Sequence, residues 1–107
     1  MIYEYNGSNV TDGLYYFYAS WNSNCNTIKN RINRIDKEYN NLTIYRVNTT
    51  KYIKLKNDMN INKIPSFIFI KNNEIVSRIS GNVDYYTLSN WIKENLNKNW
   101  WNYEKIF

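Results

Sequence analysis

The sequence is short of the residues that disulfides and metal sites need. Among its 107 residues it has one cysteine, Cys25, and no histidine. A single cysteine excludes a disulfide within the chain, and without histidine it argues against a zinc site. We therefore expect no metal and no other cofactor. Cys25 could still pair with a cysteine of another molecule.

Long apolar runs are also missing. No stretch approaches the ~18 apolar residues that indicate a membrane-spanning helix, and no basic start followed by an apolar run indicates a signal peptide. We therefore expect no membrane association and no secretion. The expected location is a reducing compartment, either the cytoplasm or a virion. A virion is included because the abundant Asn, Ile, Lys and Tyr have AT-rich codons, which are typical of many large DNA viruses and of some parasites.

What the chain does contain is enough for one packed domain. Hydrophobic residues make up 43% of the chain and aromatic residues 18%, and single-core domains of this size are usually stable without disulfides. We predict one domain over residues 1–107. The formal charge of +5 leaves two interpretations open, a solvated surface or a surface that binds nucleic acid.

Hydrophobic spacing predicts five strands and three helices. Apolar runs or alternation indicate strands, and apolar residues three and four apart, such as Ile28, Ile32 and Ile35, indicate helices. The predicted strands cover residues 2–5, 14–19, 43–48, 66–70 and 74–80. The predicted helices follow the capping residues 20–25 and end near residue 40, cover residues 52–59, and run from residue 84 to residue 96.

The order of these elements predicts an α/β fold. A strand, a helix and a strand in succession require a right-handed crossover and parallel pairing. The two strands that flank Asn72 and Asn73 must be antiparallel, since asparagine tolerates the positive φ of a tight hairpin turn. We predict a central mixed β-sheet flanked by helices.

Several local signatures resemble the thioredoxin family. Residues 15–25 resemble the family's strand that leads into Trp-Cys-Gly-Pro-Cys, and Ile-Pro-Ser at residues 64–66 resembles its Ile-Pro-Thr, which carries a cis-proline. Residues 69–74 resemble its Phe-Lys-Asn-Gly-Glu turn, and Gly81 resembles the glycine after its last strand. The resemblance implies a thioredoxin-like fold. Because few residues precede Leu14, it also implies a shortened N-terminal β-α unit.

The active-site motif departs from the family in ways that bear on function. In the family the first cysteine of the pair attacks a disulfide and the second resolves the mixed disulfide. By the resemblance, Asn22 stands at the first position and Cys25 at the second. The family's buried aspartate falls at Tyr16, and a phenol with an unperturbed pKa of about 10 is a poor base at neutral pH. The resemblance therefore implies that dithiol exchange is lost.

The two remaining motif residues each have two interpretations. Asn22 could use its side-chain oxygen to cap the following helix, or it could serve catalysis. Cys25 could be a buried structural thiol, or it could be a reactive thiol, because a first helical turn tends to lower a thiol pKa.

The resemblance also implies a binding groove. In the family the residue before the cis-proline offers its backbone to an extended peptide. Trp21, Ile64, Pro65 and Gly81 would then line a shallow apolar groove. The alternatives are that Pro65 only shapes a turn and that Trp21 is ordinary surface.

The last residues form an aromatic tail, residues 98–107. It could cover the face that the missing N-terminal helix leaves bare, or it could dock a partner, since Trp and Tyr are favoured anchors. The docking residues would be Trp100, Trp101, Tyr103 and Phe107.

Three functions follow from these features. The favoured one is a protein-binding or peptide-binding module, or a complex subunit, that has the thioredoxin fold but lacks the dithiol centre. The alternative is a monothiol oxidoreductase or redox sensor that uses Cys25. Nucleic-acid binding is the least favoured, because the two basic helices of a thioredoxin-like fold lie on opposite faces of the sheet and divide the positive charge.

Overall fold

The computed structural model describes residues 1–98, and it describes residues 23–26 by their backbone alone. The predicted α/β fold is confirmed, and each predicted strand and helix is present. The elements are β1 (Ile2–Glu4), β2 (Gly13–Tyr18), α1 (Ser23–Glu38), β3 (Ile44–Asn48), α2 (Ile53–Asp58), β4 (Ser66–Lys71), β5 (Glu74–Ser80) and α3 (Tyr85–Leu96).

The strands form one mixed sheet in the order β1-β3-β2-β4-β5. β3 is parallel to both β1 and β2, and β4 is antiparallel to both β2 and β5. The parallel crossover and the antiparallel hairpin are therefore both as predicted. Asn72 and Asn73 turn the hairpin with φ angles of 54° and 64°, which is the backbone of a tight type I′ connection.

The sheet separates two apolar layers, because successive residues of a strand point to opposite faces. On one face α1 and α3 cover residues that include Leu14, Tyr16 and Phe67. On the other face α2 covers residues that include Tyr15 and Ile68. Since α1 and α2 lie on opposite faces, their lysines and arginines do not form one basic patch.

The segment between β1 and β2 contains no helix. Tyrosine hydroxyls hold it against the α2 face of the sheet. The hydroxyl of Tyr5 donates to the carbonyl of Ser8 at 2.7 Å. The hydroxyl of Tyr15 donates to the carbonyl of Thr11 at 2.8 Å and accepts from the backbone N–H of Thr11 at 2.9 Å. The shortened N-terminal unit is thus confirmed: a loop held by tyrosine hydroxyls, and no helix, connects β1 to β2.

Tyr15→Phe tests whether this hydroxyl holds the loop. The substitution keeps the buried ring but removes the partner of two backbone groups of Thr11, so we expect the free energy of unfolding to fall by ~1–3 kcal/mol. Urea denaturation measures the loss. Tyr3→Phe is the matched control, because the hydroxyl of Tyr3 is exposed and donates to the sulfur of Met1 at 3.3 Å. Equal losses in both variants would show that the loop does not depend on Tyr15.

Candidate functional site

The first side of the candidate site is the turn between β2 and α1. The backbone N–H of Asn22 donates to the carbonyl of Ala19 at 3.1 Å, which closes the turn. Trp21 stands in this turn with 74% of its surface exposed. The turn therefore presents an aromatic ring to solvent directly beside Asn22.

The second side comes from the residues before β4 and after β5. The peptide bond between Ile64 and Pro65 is cis. The backbone N–H of Gly81 donates to the carbonyl of Pro65 at 2.8 Å. Pro65 and Gly81 are buried and Ile64 is half-buried, so the apolar surface on this side belongs to Ile64 and not to the proline ring.

Two basic residues frame Gly81, and sequence reasoning missed both. A Cβ on Gly81 would lie 3.4 Å from Nζ of Lys63, so the lysine ammonium lies over this residue. From α1, Nη1 of Arg31 donates to the carbonyl of Val83 and to Oδ1 of Asn82, both at 2.7 Å. These contacts join residues that are far apart along the chain, so no local sequence pattern predicts them.

A side-chain hydrogen bond connects the two sides of the site. Nδ2 of Asn22 donates to the carbonyl oxygen of Ile64 at 3.2 Å. Only the amide nitrogen can make this bond, because a backbone carbonyl accepts and does not donate. The predicted cap would use the amide oxygen of Asn22, so the two roles are compatible and the cap stays a prediction.

Tyr16 occupies the position that the resemblance assigns to a buried aspartate. Its side chain is 1% exposed and stacks on Phe67, with ring centroids 5.4 Å apart and an angle of 12° between the planes. An aromatic pair of this kind belongs to the core that supports the site. The structure therefore places a packed ring at the position that the resemblance assigns to a carboxylate.

Cys25 lies in the first turn of α1. The first turn of this helix carries no acidic residue, so no carboxylate there opposes a thiolate. The position of the backbone leaves both predicted roles of Cys25, structural thiol and reactive thiol, as predictions.

The remaining predicted features concern the metal, the membrane and the tail. Among the side chains that the structure describes, no group of three His, Cys, Asp or Glu residues is placed to hold a metal ion. None of the helices within residues 1–98 has the length and apolar character needed to cross a membrane. The predicted docking residues of the tail lie outside the described residues, namely Trp100, Trp101, Tyr103 and Phe107.

Comparison with known proteins agrees with the fold. The thioredoxin family model matches residues 7–94. An M-type chloroplastic thioredoxin of Spinacia oleracea is 33% identical over 81 residues, which is 75% of this chain and 45% of that protein. Thioredoxin Asp f 28 of Aspergillus fumigatus is 25% identical over 69 residues, or 63% of this chain and 64% of that protein. The chain thus spans less than two thirds of the length of these two relatives.

Solved structures show the same architecture at lower identity. Schistosoma mansoni thioredoxin superposes with a TM-score of 0.76 at 23% identity, over 87% of this chain and 96% of that one. The germline-specific thioredoxin Deadhead of Drosophila melanogaster superposes with a TM-score of 0.72 at 19% identity, over 78% of this chain and 80% of that one. These likenesses concern the fold.

Proposed function

Because this chain belongs to the thioredoxin family and has a single cysteine, we propose that it is a protein-binding or peptide-binding module, or a complex subunit, that works without dithiol exchange. Such exchange needs an attacking thiolate and a second thiol that resolves the mixed disulfide. The chain has only one thiol, that of Cys25. The proposal places it in a reducing compartment, the cytoplasm or a virion, where a lone thiol stays reduced.

The observation that carries the proposal is the hydrogen bond from Asn22 to Ile64. By the resemblance, Asn22 stands where the family has its attacking sulfur. A carboxamide is no nucleophile for disulfides, and here it fastens the start of α1 to the backbone before Pro65. In the proposal this residue has a structural role and does not react.

The same arrangement supports a groove that binds an extended peptide. A backbone carbonyl accepts two hydrogen bonds, so Asn22 can use one acceptor position of Ile64 while a peptide N–H uses the other. Trp21 precedes Asn22 in the chain, is exposed and can act as an aromatic anchor. Main-chain pairing would then supply affinity and the side chains around it would supply specificity.

An insulin-reduction assay with dithiothreitol tests the loss of redox activity. We expect the wild-type chain to leave the rate at that of dithiothreitol alone, because a mixed disulfide formed at Cys25 cannot be resolved within the chain. Cys25→Ser is the matched control and should behave identically. An accelerated rate that Cys25→Ser abolishes would contradict the proposal and establish a monothiol enzyme.

A further inference from the structure

A cationic cleft opens next to the proposed groove. It has a volume of about 190 Å³ and is bordered by Lys63, Ser66, Arg78 and Ser80 among other residues. Ser66 of β4 pairs with Ser80 of β5. Ser66 directly follows Pro65, and Ser80 directly precedes Gly81. The cleft therefore begins one residue away from the groove, on the α2 face of the sheet. None of its lining residues is acidic.

The two basic residues of the cleft are held in place by neutral groups. Arg78 donates from Nη2 to the carbonyl of Met59 at 3.0 Å and from Nη1 to the carbonyl of Asn60 at 3.3 Å. These carbonyls orient the guanidinium without cancelling its charge. Lys63 lies over Gly81 and immediately precedes Ile64, whose carbonyl belongs to the groove. Both Lys63 and Arg78 are exposed.

Carboxylates that are near in sequence have other partners. Asp58 directly precedes Met59 and Asn60, whose carbonyls Arg78 contacts. The carboxylate of Asp58 is 3.0 Å from Nζ of Lys54. Asp84 lies shortly after Gly81, and the backbone N–H of Thr87, which donates to its carboxylate at 2.7 Å, lowers its pKa. Within residues 1–98 no carboxylate forms an ion pair with either Lys63 or Arg78.

We infer that the groove selects an extended acidic peptide, whose carboxylates meet Lys63 and Arg78 while its main chain pairs beside Ile64. The inference rests on the proposed function and adds the chemistry of the partner. A guanidinium binds a carboxylate through two parallel N–H donors, and unpaired surface charges next to a docking site govern the rate and the selectivity of association. A nucleic acid fits less well, since its phosphates need a continuous basic stripe and α1 and α2 divide their charges between two faces.

Fluorescence anisotropy with labelled peptides tests the inference on the full chain. Three peptides of about nine residues, roughly 30 Å when extended, alternate valine with glutamate, lysine or glutamine. A single-stranded oligothymidine of similar length is the fourth probe. We expect the glutamate peptide to bind about tenfold more tightly than the glutamine peptide at ~0.15 M salt, and the lysine peptide to bind more weakly than both.

Charge variants locate the selectivity. Lys63→Glu should remove most of the preference for glutamate, and Arg78→Gln, which keeps amide donors for the two carbonyls, should reduce it several-fold. Lys37→Glu makes the same charge change as Lys63→Glu, but at the far end of α1, and should leave the preference for glutamate unchanged. Circular dichroism establishes that each variant is folded.

The outcomes distinguish failure of the acidic selectivity from failure of the proposed function. If the glutamine peptide binds and the glutamate peptide has no advantage, the groove exists and the acidic selectivity is wrong. If no peptide binds, the peptide-binding groove of the proposed function fails and the inference fails with it. Tighter binding of the oligothymidine than of the glutamate peptide would also overturn the inference, in favour of a nucleic-acid partner.

Discussion

Asn22→Cys is expected to turn a chain that is silent in the insulin assay into one that reduces insulin. We expect a rate on the order of tenfold above that of dithiothreitol alone, which corresponds to ~1.4 kcal/mol removed from the barrier. The substitution puts a thiol three residues before Cys25 and directly before α1, at the position that by the resemblance is the first of the family motif. Cysteines in such motifs at helix N-termini have lowered pKa values and hence more thiolate.

The thiols at positions 22 and 25 together can reduce one insulin disulfide. The thiolate at position 22 attacks the insulin disulfide, forms a mixed disulfide and releases one insulin thiolate. The thiolate of Cys25 then attacks the sulfur at position 22, releases the second insulin thiolate and leaves a disulfide between positions 22 and 25. Dithiothreitol reduces that disulfide and is itself oxidised.

Three controls isolate the new thiol. Asn22→Ser removes the amide and supplies no thiol, so it should stay silent. The double variant with Asn22→Cys and Cys25→Ser should also stay silent, because its mixed disulfide has no resolving thiol. Mass spectrometry of the oxidised single variant should show loss of both thiol hydrogens. A variant that forms this disulfide and still leaves insulin untouched would contradict the assignment of Asn22 to the nucleophile position.

Tyr16→Asp is expected to destabilise the chain severely. It removes a ring that is 1% exposed and stacked on Phe67, which by comparison with large-to-small core substitutions costs ~3–5 kcal/mol. It also places a carboxyl group in an apolar site, where burial raises the carboxyl pKa and favours the neutral form. An acidic residue at this position therefore requires a different core around it.

Thermal unfolding measures this prediction. A loss of ~4 kcal/mol lowers the melting temperature of a domain of this size by roughly 20 °C, and domains with ordinary stability have only about 5–15 kcal/mol in total. Tyr16→Phe is the control, because it keeps the stacked ring and loses only the hydroxyl, and it should retain most of the stability. If Tyr16→Asp melts within a few degrees of Tyr16→Phe, the core does not depend on this ring.

The elements of the fold could be predicted because their signals are local. The spacing of Ile28, Ile32 and Ile35 specifies which face of α1 is buried, and the paired asparagines at residues 72 and 73 specify a tight hairpin. Parallel pairing of β2 with β3 followed from the order strand, helix, strand, because such a unit forms a right-handed crossover between parallel strands. The roles of Asn22 and Tyr16 came instead from the resemblance to a family, which supplied positions that periodicity alone does not distinguish.

The sequence by itself determined that the chain has one cysteine and hence no dithiol centre, since a count of sulfurs does not depend on how the chain folds. Only the tertiary structure decided which groups meet around the candidate site. The amide of Asn22 reaches the carbonyl of Ile64, Lys63 covers Gly81, and Arg78 is held at the edge of a cleft. Each of these contacts joins separate elements of the fold. Hydrogen bonds and charge interactions act over a few ångströms of space, and the distance along the chain does not reveal which groups come that close.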